Sequence, residues 1–467
     1  MWAFALAAAI AVLPETPAEV YDAVVVDLDS VPSADRPYIR WLSLWPVLPS
    51  RQDSLSSATS FWGNSLSWME MQRLHLTEDG ALWRIDLREW GWSKEAWEAL
   101  AATDVYFATT VGYHRGWIDP KVEAAVRYAT GSSKAVLRAD TFLARTSLDG
   151  AKKDGFFREG FYSKFLNLPK TDKELKDVLG AKEKVKVPAV TGYDVFIFLL
   201  KGGGTSESGV ALHNRVLQVQ RTLIGPDEAT FYWESLDVDN DTGEGSINKQ
   251  FGGTLNRAGG EQIFSLPNGL HGYFACNAKG ERISEVPTGI AQGNHPKEKV
   301  VVLGWQCNYC HGPNGGINGF VDEQKPLVLG KKTALAIVSK GHVDKQAELE
   351  LKQRNETYHL SDLKETTLKH RKAYAAAVLE ATELKPDENS KNYVGWVTDY
   401  LYGPVDRETA IRETGFGKDF DYYVQHAGDV NSLTFLNVPP GKISRSKFEE
   451  DYPRLMQAKA WPWEVKK

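Results

Sequence analysis

Cys307-Asn308-Tyr309-Cys310-His311 is the stretch of this chain whose residue types and spacing specify a chemistry most narrowly. Cys-x-x-Cys-His is the attachment signature of a c-type haem. Two thiols three positions apart add to the two vinyl groups on one edge of a porphyrin, and the following imidazole reaches the iron as an axial ligand. The spacing therefore assigns Cys307 and Cys310 as thioether donors, His311 as the proximal iron ligand, and one haem c to the chain.

Two other readings use the same cysteines. A structural zinc site needs a second pair of ligands at zinc spacing, and Cys276 is the only cysteine left to supply one. A thioredoxin-like dithiol without haem draws on the apolar run Val300-Val301-Val302-Leu303, which leads into Trp305-Gln306-Cys307 as a strand leads into a redox motif. That fold carries a proline some forty residues later, whereas no proline occurs here between Pro326 and Pro386. Cys276 itself sits in Tyr273-Phe274-Ala275-Cys276, an apolar strand-like stretch that predicts a buried, inert thiol.

The task of the iron depends on its sixth ligand. Small cytochromes c use a methionine some tens of residues after the motif. The four methionines here are Met1, Met69, Met71 and Met456, and none lies between His311 and Met456. Met69 and Met71 alternate with polar residues after an apolar stretch and read as core packing. Histidine is then the expected distal ligand, with His342, His359, His370 and His426 downstream and His213 and His271 upstream. His342 leads, because Ser339-Lys340-Gly341 breaks the chain just before it and could turn it inward. Two histidine ligands predict a low-potential haem, since a methionine thioether raises the potential. An iron with no sixth side chain would be open to peroxide or to gases, and peroxide chemistry also needs a distal proton-transfer group, which the sequence does not name.

Asp237-Val238-Asp239-Asn240-Asp241-Thr242-Gly243 resembles the opening of a calcium loop, with carboxylates at alternate positions. The glycine falls one place late, and Asn248 stands where the closing Glu belongs, so an acidic hairpin loop is the expectation for Asp237, Asp239 and Asp241. The chain has no Walker loop, Rossmann fingerprint, Gly-x-Ser-x-Gly elbow or His-Glu-x-x-His helix. Hydrolase and nucleotide-enzyme classes have no residues behind them.

With 467 residues, 42% hydrophobic and 25% charged, the composition is that of an ordinary globular chain of two or three domains. A net charge of −6 argues against a nucleic-acid partner. Residues Trp2 to Leu13 form an apolar run, followed by Pro14 and the small-residue site Thr16-Pro17-Ala18. Its length is that of a secretory signal over residues 1–18, although no lysine or arginine precedes it, and no later segment is apolar enough to span a membrane. Haem c is attached outside the energy-transducing membrane, so a periplasmic or otherwise exported location agrees with the motif.

From residue 19 to about 290 the texture is mixed. Tyr21 to Val26, Leu82 to Leu87, Val195 to Leu200 and Thr230 to Trp233 read as strands. Ser93 to Ala102 reads as a helix with Ser93 as N-cap. Ile263 to Leu270 contains an Asn-Gly turn between apolar alternations, which predicts a hairpin. After the motif, Lys331 to Gln346, Gln346 to Arg354, Leu360 to Thr382 and Asp406 to Thr414 are helical in period. The expected architecture is an α+β N-terminal domain, 19–290, followed by a mainly α-helical cytochrome c-like domain, 291–467.

Several segments in fixed order add a resemblance: Tyr38 to Ser43, Asn64 to Trp68, Arg84 to Arg88, Arg138-Ala139-Asp140, Asn214-Arg215 and Gly259 to Leu270. Together with the haem motif they resemble a family of large exported bacterial cytochrome c-like proteins with a single Cys-x-x-Cys-His and no established reaction. The resemblance runs from about residue 38 to the C-terminal helices and implies haem binding and export. A histidine usual in that family after Asn214-Arg215 is replaced here by Val216 to Arg221. Two function classes follow: an electron carrier that passes electrons to a redox protein partner, which is favoured, and a haem enzyme or sensor with an open sixth position.

Overall fold

The computed structural model describes residues 14, 16–47, 52, 55, 56, 59, 74–77, 82–107, 118–149, 161–181, 203–207, 214–220, 231–237, 259–286, 300–311, 360–382, 400, 403–427 and 431–459. The first described element is helix α1, Pro17–Ser30, in place of the strand that the sequence predicts over Tyr21 to Val26. Thr16 caps the helix by accepting from the Glu19 amide, and Pro17 occupies the first turn, where its missing N–H costs nothing. Val20, Tyr21, Val24, Asp27 and Leu28 are buried at helical spacing, while Val26 is exposed. Caps and period outweigh the strand preference of a Val-Val-Val run.

Strands β1 (Ile39–Ser43), β2 (His75–Leu76) and β3 (Leu82–Asp86) follow. Helices α2 (Lys94–Ala101) and α3 (Pro120–Thr130) precede β4 (Val136–Arg138). Ser93 caps α2, with its hydroxyl accepting from the Ala96 amide. The four strands form one sheet in the order β2-β3-β1-β4, antiparallel except for the parallel pair β1–β4.

This sheet separates two apolar cores. Alternate residues of a strand point to opposite faces. Leu42, Trp83, Ile85 and Leu137 enter one core, and Ile39, Trp41, Leu82 and Val136 enter the other. Helices α4 (Ala139–Thr146), α5 (Tyr162–Phe165) and α6 (Asp172–Leu179) contribute to the first core. So does a five-stranded antiparallel meander of β5 (Gly203–Glu207), β6 (Asn214–Gln220), β7 (Tyr232–Asp237), β8 (Gly259–Ser265) and β9 (His271–Asn277), through its β7 to β9 end. β8 and β9 form the hairpin expected from Asn268-Gly269: Ser265 pairs with His271, and Gly269 adopts φ +82°.

Ribbon β10 (Glu285–Val286) with β11 (Val301–Val302) leads into helix α7, Trp305–His311. Helix α8 spans Leu360–Thr382, the bounds read from the sequence. Further described elements include β12 (Pro404–Asp406), α9 (Arg407–Thr414), α10 (Phe420–His426), β13 (Lys442–Ser444) and α11 (Arg445–Lys459). Side chains of 405–456 fill the second core together with α1, α3 and the sheet. The first core takes Tyr374, Ala377, Val378, Ala381 and Tyr400. Both cores therefore draw on residues from either side of position 290. The expected helices over 331–354 and the strand over 195–200 lie outside the described residues. Among the described residues no helix is long and apolar enough to cross a membrane.

A buried ionic network closes the second core. Arg138 at the end of β4 meets Glu413 at 3.1 Å and also Asp140, and Arg445 reaches Glu413 at 2.6 Å. Tyr106 donates to Glu413 at 2.9 Å. Nearby, Glu449 accepts from Arg145 at 2.9 Å and from Tyr400 at 2.8 Å. Burial pushes the Glu413 carboxyl up, but the charges of Arg138 and Arg445 outweigh it and hold the value at about 2. The stability contributed by ionised Glu413 is thus complete above the ordinary carboxylate range and is lost as pH falls toward about 2. Glu413→Gln leaves two buried guanidinium groups undercompensated. It should lower unfolding free energy at neutral pH by about 3–5 kcal/mol, read from urea denaturation.

Candidate functional site

Helix α7 carries the whole Cys-x-x-Cys-His segment. At about 100° per residue, positions 307, 310 and 311 fall within one arc of about 100°, so the backbone places the three donor positions along one side of one helix. Gly304 sets where this helix starts. Its φ of +107° lies in the region that favours glycine, and a Cβ there would collide with the Ser147 carbonyl oxygen and crowd the Tyr162 ring. The Gly304 carbonyl then accepts from the Cys307 and Asn308 amides at 3.0 and 3.2 Å.

Asn308 holds the helix in place. Its side chain is fully buried, and its Oδ1 accepts from the hydroxyls of Tyr273 on β9 and Tyr374 on α8, each at 3.0 Å. One amide oxygen, which has two lone pairs, thus joins the motif helix to the meander and to α8. Gln306, also buried, accepts from the Val302 amide and ties the start of the helix back to β11. The Tyr162 hydroxyl accepts from the Tyr273 amide at 2.9 Å. Burial, together with the nearby Cys307 and Asp149, keeps that phenol protonated well above its ordinary range. Cys307 is half-buried and packs against the first core, and His311 is likewise partly exposed.

One further imidazole, His271, meets this site, and a second, His370, packs behind it through Phe231. His271, the first residue of β9, is buried and stacks on Tyr374 with ring centroids 3.7 Å apart. Its Nδ1 lies 3.3 Å from the Tyr273 hydroxyl. His370 on α8 is buried, stacks on Phe231 at 4.2 Å, and its Nδ1 accepts from the Trp233 indole N–H at 2.9 Å. Burial, followed by the proximity of His311 and His370, drives the His271 imidazolium well below the usual histidine range, so His271 is neutral at pH 7.

Of the expected distal residues, the structure places His271 against the two tyrosines that hold the motif helix, and His370 beyond it, against Phe231 and Trp233. His426 lies on the exposed face of α10, with Nδ1 2.7 Å from the Tyr422 carbonyl oxygen. Met456 is buried in the second core. His342, the leading distal expectation, lies outside the described residues, as do His213, His359, Met69 and Met71. Asp239 and Asp241 are also outside them, and Asp237 ends β7. Cys276 is buried in β9, where its thiol contacts the Gly260 carbonyl and the Gln262 amide. Tyr273, Tyr374 and Asn308 were not singled out from the sequence. A signal for them existed: His271 and Tyr273 share a strand face at i, i+2, and His370 and Tyr374 share a helix face at i, i+4.

The residues present fit covalent haem. Two thiol positions and an imidazole share one side of a helix, and beside them Nε2 of His271 and Nδ2 of Asn308 are buried polar atoms without a protein hydrogen-bond partner. Among the described residues no three His, Cys, Asp or Glu side chains converge on a bare metal ion. A porphyrin supplies four of its iron's ligands itself, and the protein needs to add only one or two. Compared with known proteins, the chain matches no family model, no curated protein and no solved structure.

Asn308→Leu removes the acceptor of two buried phenol hydroxyls. It should cost about 1–3 kcal/mol for each hydroxyl left unpaired, measured by urea denaturation. Asn308→Asp keeps an acceptor there and should recover most of the loss.

Proposed function

We propose that the chain is an exported monohaem c-type cytochrome-like protein that transfers electrons. Cys307 and Cys310 would hold the porphyrin by thioethers, and His311 would be its axial ligand. When bound, haem supplies a one-electron iron couple. The observation that carries this reading is that Cys307 to His311 forms a single helix, pinned by a fully buried Asn308, beside a second buried and neutral imidazole. The fixed helix holds the backbone at Cys307, Cys310 and His311 in place, which would limit reorganisation during electron exchange. Partial exposure of Cys307 and His311 leaves an edge of the site within reach of a redox partner.

The dithiol reading gains less from the geometry. Its leading strand, Val301–Val302, pairs in the two-stranded ribbon with β10, whereas a thioredoxin motif follows a strand of a larger sheet. Cys307 is the third residue of its helix, its amide already bonded to the Gly304 carbonyl. That first-turn, half-buried position is one a redox thiol can also occupy, so what weighs against the dithiol is the ribbon that leads into it.

Electron transfer and enzyme chemistry separate in solution. The haem-loaded protein should oxidise and reduce reversibly with small mediators in a potentiometric titration, giving a one-electron curve, and should turn over peroxide no faster than free haem. Rapid peroxide turnover with poor reversibility would favour the enzyme reading instead.

A further inference from the structure

We propose that His271, through its Nε2, is the second protein ligand to the haem iron. This rests on the reading of Cys307, Cys310 and His311 as a haem c site.

Hydrogen bonding sets which nitrogen of each imidazole carries the proton. The Tyr273 hydroxyl has one hydrogen, and it donates it to Asn308 Oδ1 at 3.0 Å. In the 3.3 Å contact between that hydroxyl and His271 Nδ1, the phenol oxygen therefore accepts and His271 Nδ1–H donates. The neutral ring then carries its proton on Nδ1 and a bare lone pair on Nε2. That Nε2 is buried and has no protein hydrogen-bond partner. This is the arrangement of a metal-binding histidine, whose other ring nitrogen donates to an oxygen that fixes the tautomer and the ring plane. Stacking on Tyr374 fixes the plane again, and both tyrosines are bonded to the residue next to Cys307.

His370 has the opposite arrangement. An indole N–H can only donate, so Trp233 makes His370 Nδ1 an acceptor and places the ring proton on Nε2. The nitrogen left to face a metal is protonated, and its partner nitrogen receives a hydrogen bond instead of giving one. The indole bond and the stack on Phe231 make His370 a packing residue of the first core.

The test uses the full chain matured with covalent haem, its spin state read by absorption and electron paramagnetic resonance. The wild type should be low-spin, and His271→Ala should become high-spin and return to low-spin on adding imidazole. His370→Gln should stay low-spin. His271→Met, chosen because it keeps a ligand and a bulky side chain, should remain low-spin with a higher reduction potential and the weak Met–iron band. A His271→Met protein with unchanged spectrum and potential overturns the assignment, even if His271→Ala fails to fold. So does a wild type that is already high-spin. A wild type without covalent haem defeats the underlying reading instead, and shows no haem spectrum in any variant.

Discussion

The hydrogen bonds from Tyr273 and Tyr374 to the Asn308 amide oxygen are the constraint on which the site depends. A helix of seven residues has little stability of its own in water and must be held by its surroundings. Here a β-strand and a long helix, separated widely in sequence, converge on one buried side chain in its middle. The same tyrosines contact His271, one by its hydroxyl and one by its ring face. Position of the motif and orientation of the neighbouring imidazole are thus set by one polar cluster. Such a cluster is costly if partly satisfied, because a buried hydroxyl or amide without a partner loses its hydration for nothing. Here both hydroxyls and the Asn308 Oδ1 are satisfied, and Asn308 Nδ2 and His271 Nε2 are the buried atoms the cluster leaves without a protein partner.

The rest of the fold supports that cluster from a distance. Strands β1 and β4 of the four-stranded sheet are buried throughout, and with β3 they serve as the wall between two cores. The meander and motif helix lie in the core on one side, and the first and last helices in the core on the other. Arg138 ends β4 within this wall and takes part in the ionic network with Glu413 and Arg445, whose charges come from 275 positions later in the chain and beyond. Removing one partner from such a group is far more damaging than replacing the whole by apolar residues, so the network acts more as a specifier of packing than as a source of net stability. Gly304 has a comparable role at the site, since its backbone conformation and the approach of Ser147 together fix where α7 begins.

The sequence was most legible where local rules act alone. Ser93 as a cap, the Asn268-Gly269 turn and the period of Leu360 to Thr382 each depend on a few neighbouring residues, and each takes the form expected. Tyr21 to Val26 misled because three valines favour a strand, while Thr16, Pro17 and the spacing of buried residues favour a helix over a longer window. The motif itself was plain from its five residues. Its surroundings were not: that Tyr273 and Tyr374 meet Asn308 depends on elements 35 and 66 positions away in the chain. A lone histidine at a strand start carries no mark of its tautomer, which is decided by partners that only the fold supplies.

Intact-mass spectrometry on the chain produced with cytochrome c maturation machinery tests the central claim most directly. Covalent attachment predicts a mass increase of one haem that survives denaturation, and its loss when Cys307 and Cys310 are both replaced by alanine. An unmodified mass under conditions that mature a control cytochrome would contradict haem attachment and leave the two cysteines as a dithiol.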